Sequence, residues 1–163
     1  MGCLKHLVCL RLRSIPIKRL PNSVTALRNL QILDPYGSGI TELPSSISKL
    51  TSLKNLDVSS CEHLQCMPYG ISQLMSSVYL DAKNSPNIRW NKYRRDGLLI
   101  NDLGTLNQLK RLGLINNGEI IREGILGTMK QMKSLHLSLA DMESLSQDIA
   151  AMSKLRKLFL SCP

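Results

Sequence analysis

Aromatic side chains are scarce in this 163-residue sequence, at 4%, with a single Trp and a single Phe. The core therefore cannot be built around a few large rings, and the 43% of apolar residues must pack mainly as Leu, Ile and Met. No run of about 18 apolar residues occurs, which excludes a membrane-spanning helix. Asn-x-Ser/Thr acceptors are also missing. The five cysteines, Cys3, Cys9, Cys61, Cys66 and Cys162, are odd in number and follow no disulfide-framework spacing. Both features point to a reducing, cytoplasmic setting. The opening stretch MGCLKHLVCLRLR is not expected to serve as a secretory leader, because Lys5 and His6 break its apolar part. His6 also stands where acylation of Gly2 would call for Ser or Thr.

The constellations that carry chemistry are missing too. There is no Gly-x-x-x-x-Gly-Lys-Ser/Thr phosphate loop. His6, His63 and His136 fall in separate segments, none beside a clear Ser or Cys nucleophile. Cys61-Glu62-His63-Leu64-Gln65-Cys66 matches no familiar zinc spacing and has no second ligand pair nearby. Neither an enzyme nor a cofactor nor a metal is expected. Charge of one sign is short as well: 12 acidic residues face 21 basic ones, a net +9. Such a balance aids solubility and favours acidic partners without specifying one.

What the sequence has in abundance is leucine at fixed intervals. Leu4, Leu27, Leu50 and Leu74 recur at steps of 23, 23 and 24. Leu106, Met129 and Met152 continue the series at steps of 23, after a longer step of 32. Each unit reads L-x-x-L-x-x-L-x-L, as in Leu50, Leu53, Leu56 and Val58, and again in Leu106, Leu109, Leu112 and Leu114. The second and fourth units are imperfect, placing Pro35 and Ala82 at the last position. A convex half follows, as in Ile40, Leu43-Pro44, Ile47 and Leu50. Neither a helix nor a strand keeps this rhythm throughout, so each unit must change structure partway. A period near 23 with this core is the leucine-rich-repeat signature. The expected fold is an α/β leucine-rich-repeat solenoid, a horseshoe of about seven repeats with a parallel concave sheet. Proline after the convex Leu suits the first turn of a short helix. One domain, residues 1–163, is expected, with one repeat lengthened by an insertion within about 83–102. At the strand exits only Cys61 and Asn117 suit the polar ladder that commonly links units, and Ile15, Ser38, Ser85, Ala140 and Pro163 occupy the other places. That ladder is expected to be weak.

The runs "IKRLPNSVTALRNLQILDPYGSGITELPSSISKLTSLKNLDVSS" and "LGTLNQLKRLGL" resemble the repeat region of plant intracellular nucleotide-binding, leucine-rich-repeat disease resistance proteins, more narrowly the coiled-coil subgroup. The convex Leu-Pro, in place of Gly-x-Ile-Pro, separates the chain from extracellular plant receptors. The resemblance implies a non-catalytic protein-binding module for recognition and autoinhibition in plant innate immunity. Its implied partners are a pathogen effector or host target protein and, in a parent receptor, a nucleotide-binding switch module. Without a phosphate loop, ATP or ADP binding does not carry over. The ends lack polar caps, so a fragment of a larger receptor is expected. The alternative is a freestanding intracellular signalling scaffold of the Shoc-2-like or plant Ras-group-related type.

In such a horseshoe the inner strand face recognises partners. The strand pattern places Arg11, Arg13, Asp34, Tyr36, Asp57, Tyr79, Asp81, Arg111, His136 and Phe159 there. Asp34, Asp57 and Asp81 fall at one place in successive units and should form an acidic column, with Arg11 before it and Arg111 after it at that same place. A second candidate is the insertion, where Arg89, Lys92, Arg94 and Arg95 surround Trp90 and Tyr93. It reads as a solvated loop or a protein contact before it reads as a nucleic-acid site.

Overall fold

Residues two apart on a strand share a face, so in each Leu-x-Leu segment both leucines turn inward and the residue between them turns out. The computed structural model describes residues 4–88, 100–114, 124–138 and 146–161. Within these lie seven strands: β1 (Cys9–Arg11), β2 (Ile32–Asp34), β3 (Asn55–Asp57), β4 (Tyr79–Ala82), β5 (Arg111–Leu114), β6 (Ser134–Ser138) and β7 (Lys157–Ser161). They form one sheet, β1-β2-β3-β4-β5-β6-β7, with every pair parallel. The register stacks Leu10, Leu33, Leu56, Leu80, Leu112, Leu135 and Leu158 into one column. From Leu33 to Leu135 its members are at most 2% exposed. No unit could bury this face by itself; stacking makes the core continuous.

The chain returns behind the sheet through 3-10 helices at Asn22–Ala26, Ser45–Lys49, Tyr69–Gln73, Ile100–Thr105 and Leu126–Thr128, and through one α-helix, α1 (Ser146–Ala151). Pro21, Pro44 and Pro68 immediately precede the first three. Their carbonyls accept the N–H groups of Val24, Ile47 and Ile71 at 2.9, 3.0 and 3.0 Å, which starts each turn. Val24, Ile47 and Ile71 then point into the core. A 3-10 helix rises about 2.0 Å per residue against about 1.5 Å for an α-helix, so it crosses the back of a 23-residue unit with fewer residues.

The strand exits repeat as well. Ser14, Gly37, Ser60 and Asn84 take left-handed φ values of 55, 63, 57 and 53°, one in each of the first four units. Just beyond them, Ser38, Cys61 and Ser85 are buried. The Cys61 thiol donates to the Pro35 carbonyl (3.2 Å), the Cys61 N–H to Ser85 Oγ (3.0 Å), and the Ser85 hydroxyl to the Val58 carbonyl (2.8 Å). The ladder expected to be weak is continuous over these three units. Ser85, which was not counted as a ladder residue, joins Cys61 in making it. Strands β4 and β5 pair directly, Tyr79 against Arg111, despite the 32-residue step between them. The extra length of this unit therefore does not interrupt the sheet. Arg89, Trp90, Lys92, Tyr93, Arg94 and Arg95 of the expected insertion lie outside the described residues.

Candidate functional site

Strand alternation fixes three outward columns on the concave face. The first runs Cys9, Ile32, Asn55, Tyr79, Arg111, Ser134, Lys157. In the second, Arg11 pairs with Asp34, Asp57 with Asp81, Asp81 with Gly113, Gly113 with His136, and His136 with Phe159. The third begins with Arg13 and Tyr36. The acidic residues thus stand in the second column and Arg11 precedes them, but Arg111 does not follow them there. It belongs to the Tyr79 column, and Gly113 takes the place beside Asp81. The two positions are two residues apart on one strand, so they share a face and differ only in column.

The aspartates differ in what they touch. Asp34 is 3% exposed. Its Oδ2 accepts Arg13 Nε–H at 2.7 Å and lies 3.6 Å from Arg11 Nε. Arg13 also stacks over the Tyr36 ring at 5.5 Å. The hydrogen bond and charge of Asp34 push the Arg13 guanidinium further up from its already high range. Asp81 is held by four donors: Ser59 Oγ (3.0 Å) and Lys83 N–H (3.3 Å) on Oδ1, Lys83 Nζ (3.1 Å) and Arg111 Nη2 (3.2 Å) on Oδ2. Gly113 makes room for this cluster, since a Cβ there would stand 2.8 Å from the Asp81 carboxyl carbon. Asp57 accepts the Ser59 N–H at 3.0 Å, and among the described residues no cation lies within ion-pair distance of it.

A role that sequence reasoning missed joins all three. Each aspartate accepts the backbone N–H two residues on, from Tyr36, Ser59 and Lys83, at 3.3, 3.0 and 3.3 Å. Each thereby fastens the turn that leads into the left-handed residue of its unit. The signal was present, because an aspartate stands three residues before Gly37, Ser60 and Asn84 alike.

Two hollows lie side by side on this face. One, about 460 Å³, is lined by Tyr36, Asp57, Ser59, Asp81, Lys83, Arg111 and His136 among others. The second, about 450 Å³, is lined by Tyr79, Lys83, Lys110, Arg111, Lys133, Ser134, His136, Arg156, Lys157 and Phe159. His136 stands between them, its ring 5.3 Å from that of Phe159. Burial first, then the charge of Lys83, holds His136 below the usual histidine range and favours neutral imidazole. Of the expected concave residues, the structure gathers Tyr79, Arg111, His136 and Phe159 in one hollow. It sets Arg11, Arg13, Asp34 and Tyr36 together at the other end of the sheet. Cys61, the first residue of the Cys61-Glu62-His63-Leu64-Gln65-Cys66 stretch, is committed to the ladder, and burial pushes its thiol up. Among the described residues no group of three or more His, Cys, Asp or Glu side chains is placed to hold a metal ion.

A family model described as a leucine-rich repeat region matches residues 1–163. The chain belongs to the leucine-rich-repeat family. This leucine-rich-repeat chain is 31% identical over 139 residues to the disease resistance RPP13-like protein 4 of Arabidopsis thaliana, covering 83% of its own length and 16% of that protein. It is 28% identical over 180 residues to the TMV resistance protein N of Nicotiana glutinosa, covering 98% of itself and again 16% of that protein. It therefore spans about one sixth of the length of these relatives, and it fits the repeat region of a plant disease resistance protein. Among solved structures it is similar to an internalin from Listeria monocytogenes, with TM-score 0.73, 23% identity, and coverage of 97% of this chain and 42% of that one. The plant peptide hormone receptor RGFR1 in complex with RGF2 gives TM-score 0.71, 19% identity, and coverage of 97% and 25%. These likenesses show the fold. Among the described residues no helix is long and apolar enough to cross a membrane.

Proposed function

We propose that this chain is a non-catalytic, cytoplasmic protein-binding module of plant defence. Its concave face recognises a pathogen effector or a host target and, in a parent receptor, holds a nucleotide-binding switch inactive until that contact forms. The observation that carries the reading is the set of large outward side chains on one continuous parallel sheet. Tyr36, Tyr79 and Phe159 are 40, 43 and 51% exposed, and Arg11, Arg13 and Arg111 are exposed among them. Aromatic and arginine side chains are the residues that most often anchor protein interfaces. The ion pairs to Asp34 and Asp81 hold Arg13 and Arg111 in place, which reduces the ordering cost of binding. Release of the switch follows if the recognised partner and the switch bind this face differently, because a ligand shifts an equilibrium only by its differential affinity.

The test is proximity labelling in plant cells with the wild-type chain, with Tyr36→Ala/Tyr79→Ala, and with the convex-side control Lys49→Ala/Gln73→Ala. Circular dichroism confirms that each variant is folded. Proteins labelled by wild type and control but lost from the concave variant support the reading. Identical sets from all three chains would refute it.

A further inference from the structure

The two ends of the concave face differ in charge. At the starts of β5, β6 and β7 stand Lys110-Arg111, Lys133 and Arg156-Lys157, and all five cations line the second hollow. Among the described residues no Asp or Glu lines it. Arg111 is drawn to Asp81, but among the described residues no carboxylate lies within ion-pair distance of Lys110, Lys133, Arg156 or Lys157. Neighbouring strands are about 4.8 Å apart, and like charges facing each other across strands destabilise a sheet. The fold nevertheless aligns Lys110, Lys133 and Arg156 on successive strands, and among the described residues none of the three has a carboxylate within ion-pair distance. Two exposed rings, Tyr79 and Phe159, flank the cluster.

We infer that this end of the concave face binds an acidic polypeptide segment of a partner protein, one with an aromatic or aliphatic side chain among its carboxylates. Carboxylates complement the lysines and arginines, and the apolar side chain packs against the exposed Phe159 ring. The patch spans three strands and stops at Asp57 and Asp81 in the adjoining hollow. That footprint suits a short acidic segment, whereas a longer polyanion extending toward the adjoining hollow would meet Asp57, which no cation among the described residues pairs. The inference rests on the concave-face reading above and adds to it the chemistry of the partner.

Fluorescence anisotropy of the 163-residue chain tests it, with a labelled ten-residue Asp/Glu-rich peptide carrying a central Phe. The comparison probes are the same peptide with Phe replaced by Ser and a single-stranded oligonucleotide. Lys133→Glu/Lys157→Glu should weaken peptide binding about tenfold or more. Phe159→Ala should weaken the Phe peptide more than the Ser peptide. Lys18→Glu/Lys49→Glu, the same charge change on exposed residues elsewhere, should alter binding less than about twofold. Equal loss in the two charge-reversed variants would overturn the inference in favour of diffuse attraction. Tighter binding of the oligonucleotide, lost through the same two lysines, would overturn it in favour of a polyanion site. Peptide binding that survives Lys133→Glu/Lys157→Glu would overturn the placement. The concave-face reading would then still stand if Tyr36→Ala/Tyr79→Ala loses its labelled partners, and would fall separately if it does not.

Discussion

Gly113 shows how one missing side chain can organise a charged cluster. Its place in the second column is bordered by Asp81, whose carboxylate occupies the space where a Cβ would go. Lys83 Cε would also lie only 2.9 Å from that Cβ. We expect Gly113→Ala to push the carboxylate off its four donors and to lower stability by about 1–3 kcal/mol, read from urea denaturation. An unchanged midpoint would mean that the cluster relaxes freely. The same residue explains a limit of sequence reading. The acidic column and its aromatic and arginine neighbours were legible because residue alternation names them. The column of Arg111 was legible too, since Leu112-x-Leu114 puts Gly113 between the paired leucines, but the outward glycine carries no side chain and the nearby arginine was given its place. Nor could the sequence tell that Asp34 and Asp81 are occupied while Asp57 has no ion pair among the described residues. That difference depends on which cations the neighbouring strands bring within reach.

At the scale of elements, strands and return turns were foreseeable for different reasons. The strands follow from Leu-x-Leu repeated in register: every strand contains the first leucine of its pair, and β4 to β7 also contain the second position, which is Ala82 in β4. The return segments were expected to be short helices. Five of the six described are 3-10 turns, since only a few residues bridge the back of each unit. The strand-exit turn recurs with left-handed backbone at Ser14, Gly37, Ser60 and Asn84, and only Gly37 adopts it without steric cost. Gly37→Ala adds a Cβ in a conformation that costs an ordinary residue about 1–2 kcal/mol. We expect the thermal midpoint to fall accordingly. Gly37→Asn should fall by less, because asparagine tolerates this region better. If the two variants melt together above wild type, the turn is not held in the left-handed region in solution.

For the whole molecule, the governing fact is that each strand pairs only with its immediate neighbours in sequence. Stability is then close to a sum over units and the junctions between them. Leu56, third in the leucine column, is 1% exposed. Leu56→Ala should cost about 2–5 kcal/mol and should broaden the urea transition as the segments on either side begin to unfold separately. Leu158→Ala, at a residue 38% exposed, should cost far less and leave the transition sharp. Equal effects of the two substitutions would show that the array unfolds as one block whatever the position of the damage.

Nearest-neighbour pairing also bears on how such a gene can change. Deleting or duplicating one complete 23-residue unit, such as the stretch from Leu27 to Lys49, brings together two strands that already share the same register and the same stacked leucine. No contact elsewhere in the array has to be redesigned. Recombination in whole units can thus lengthen, shorten or reshuffle the charged and aromatic columns while the core that supports them stays as it was.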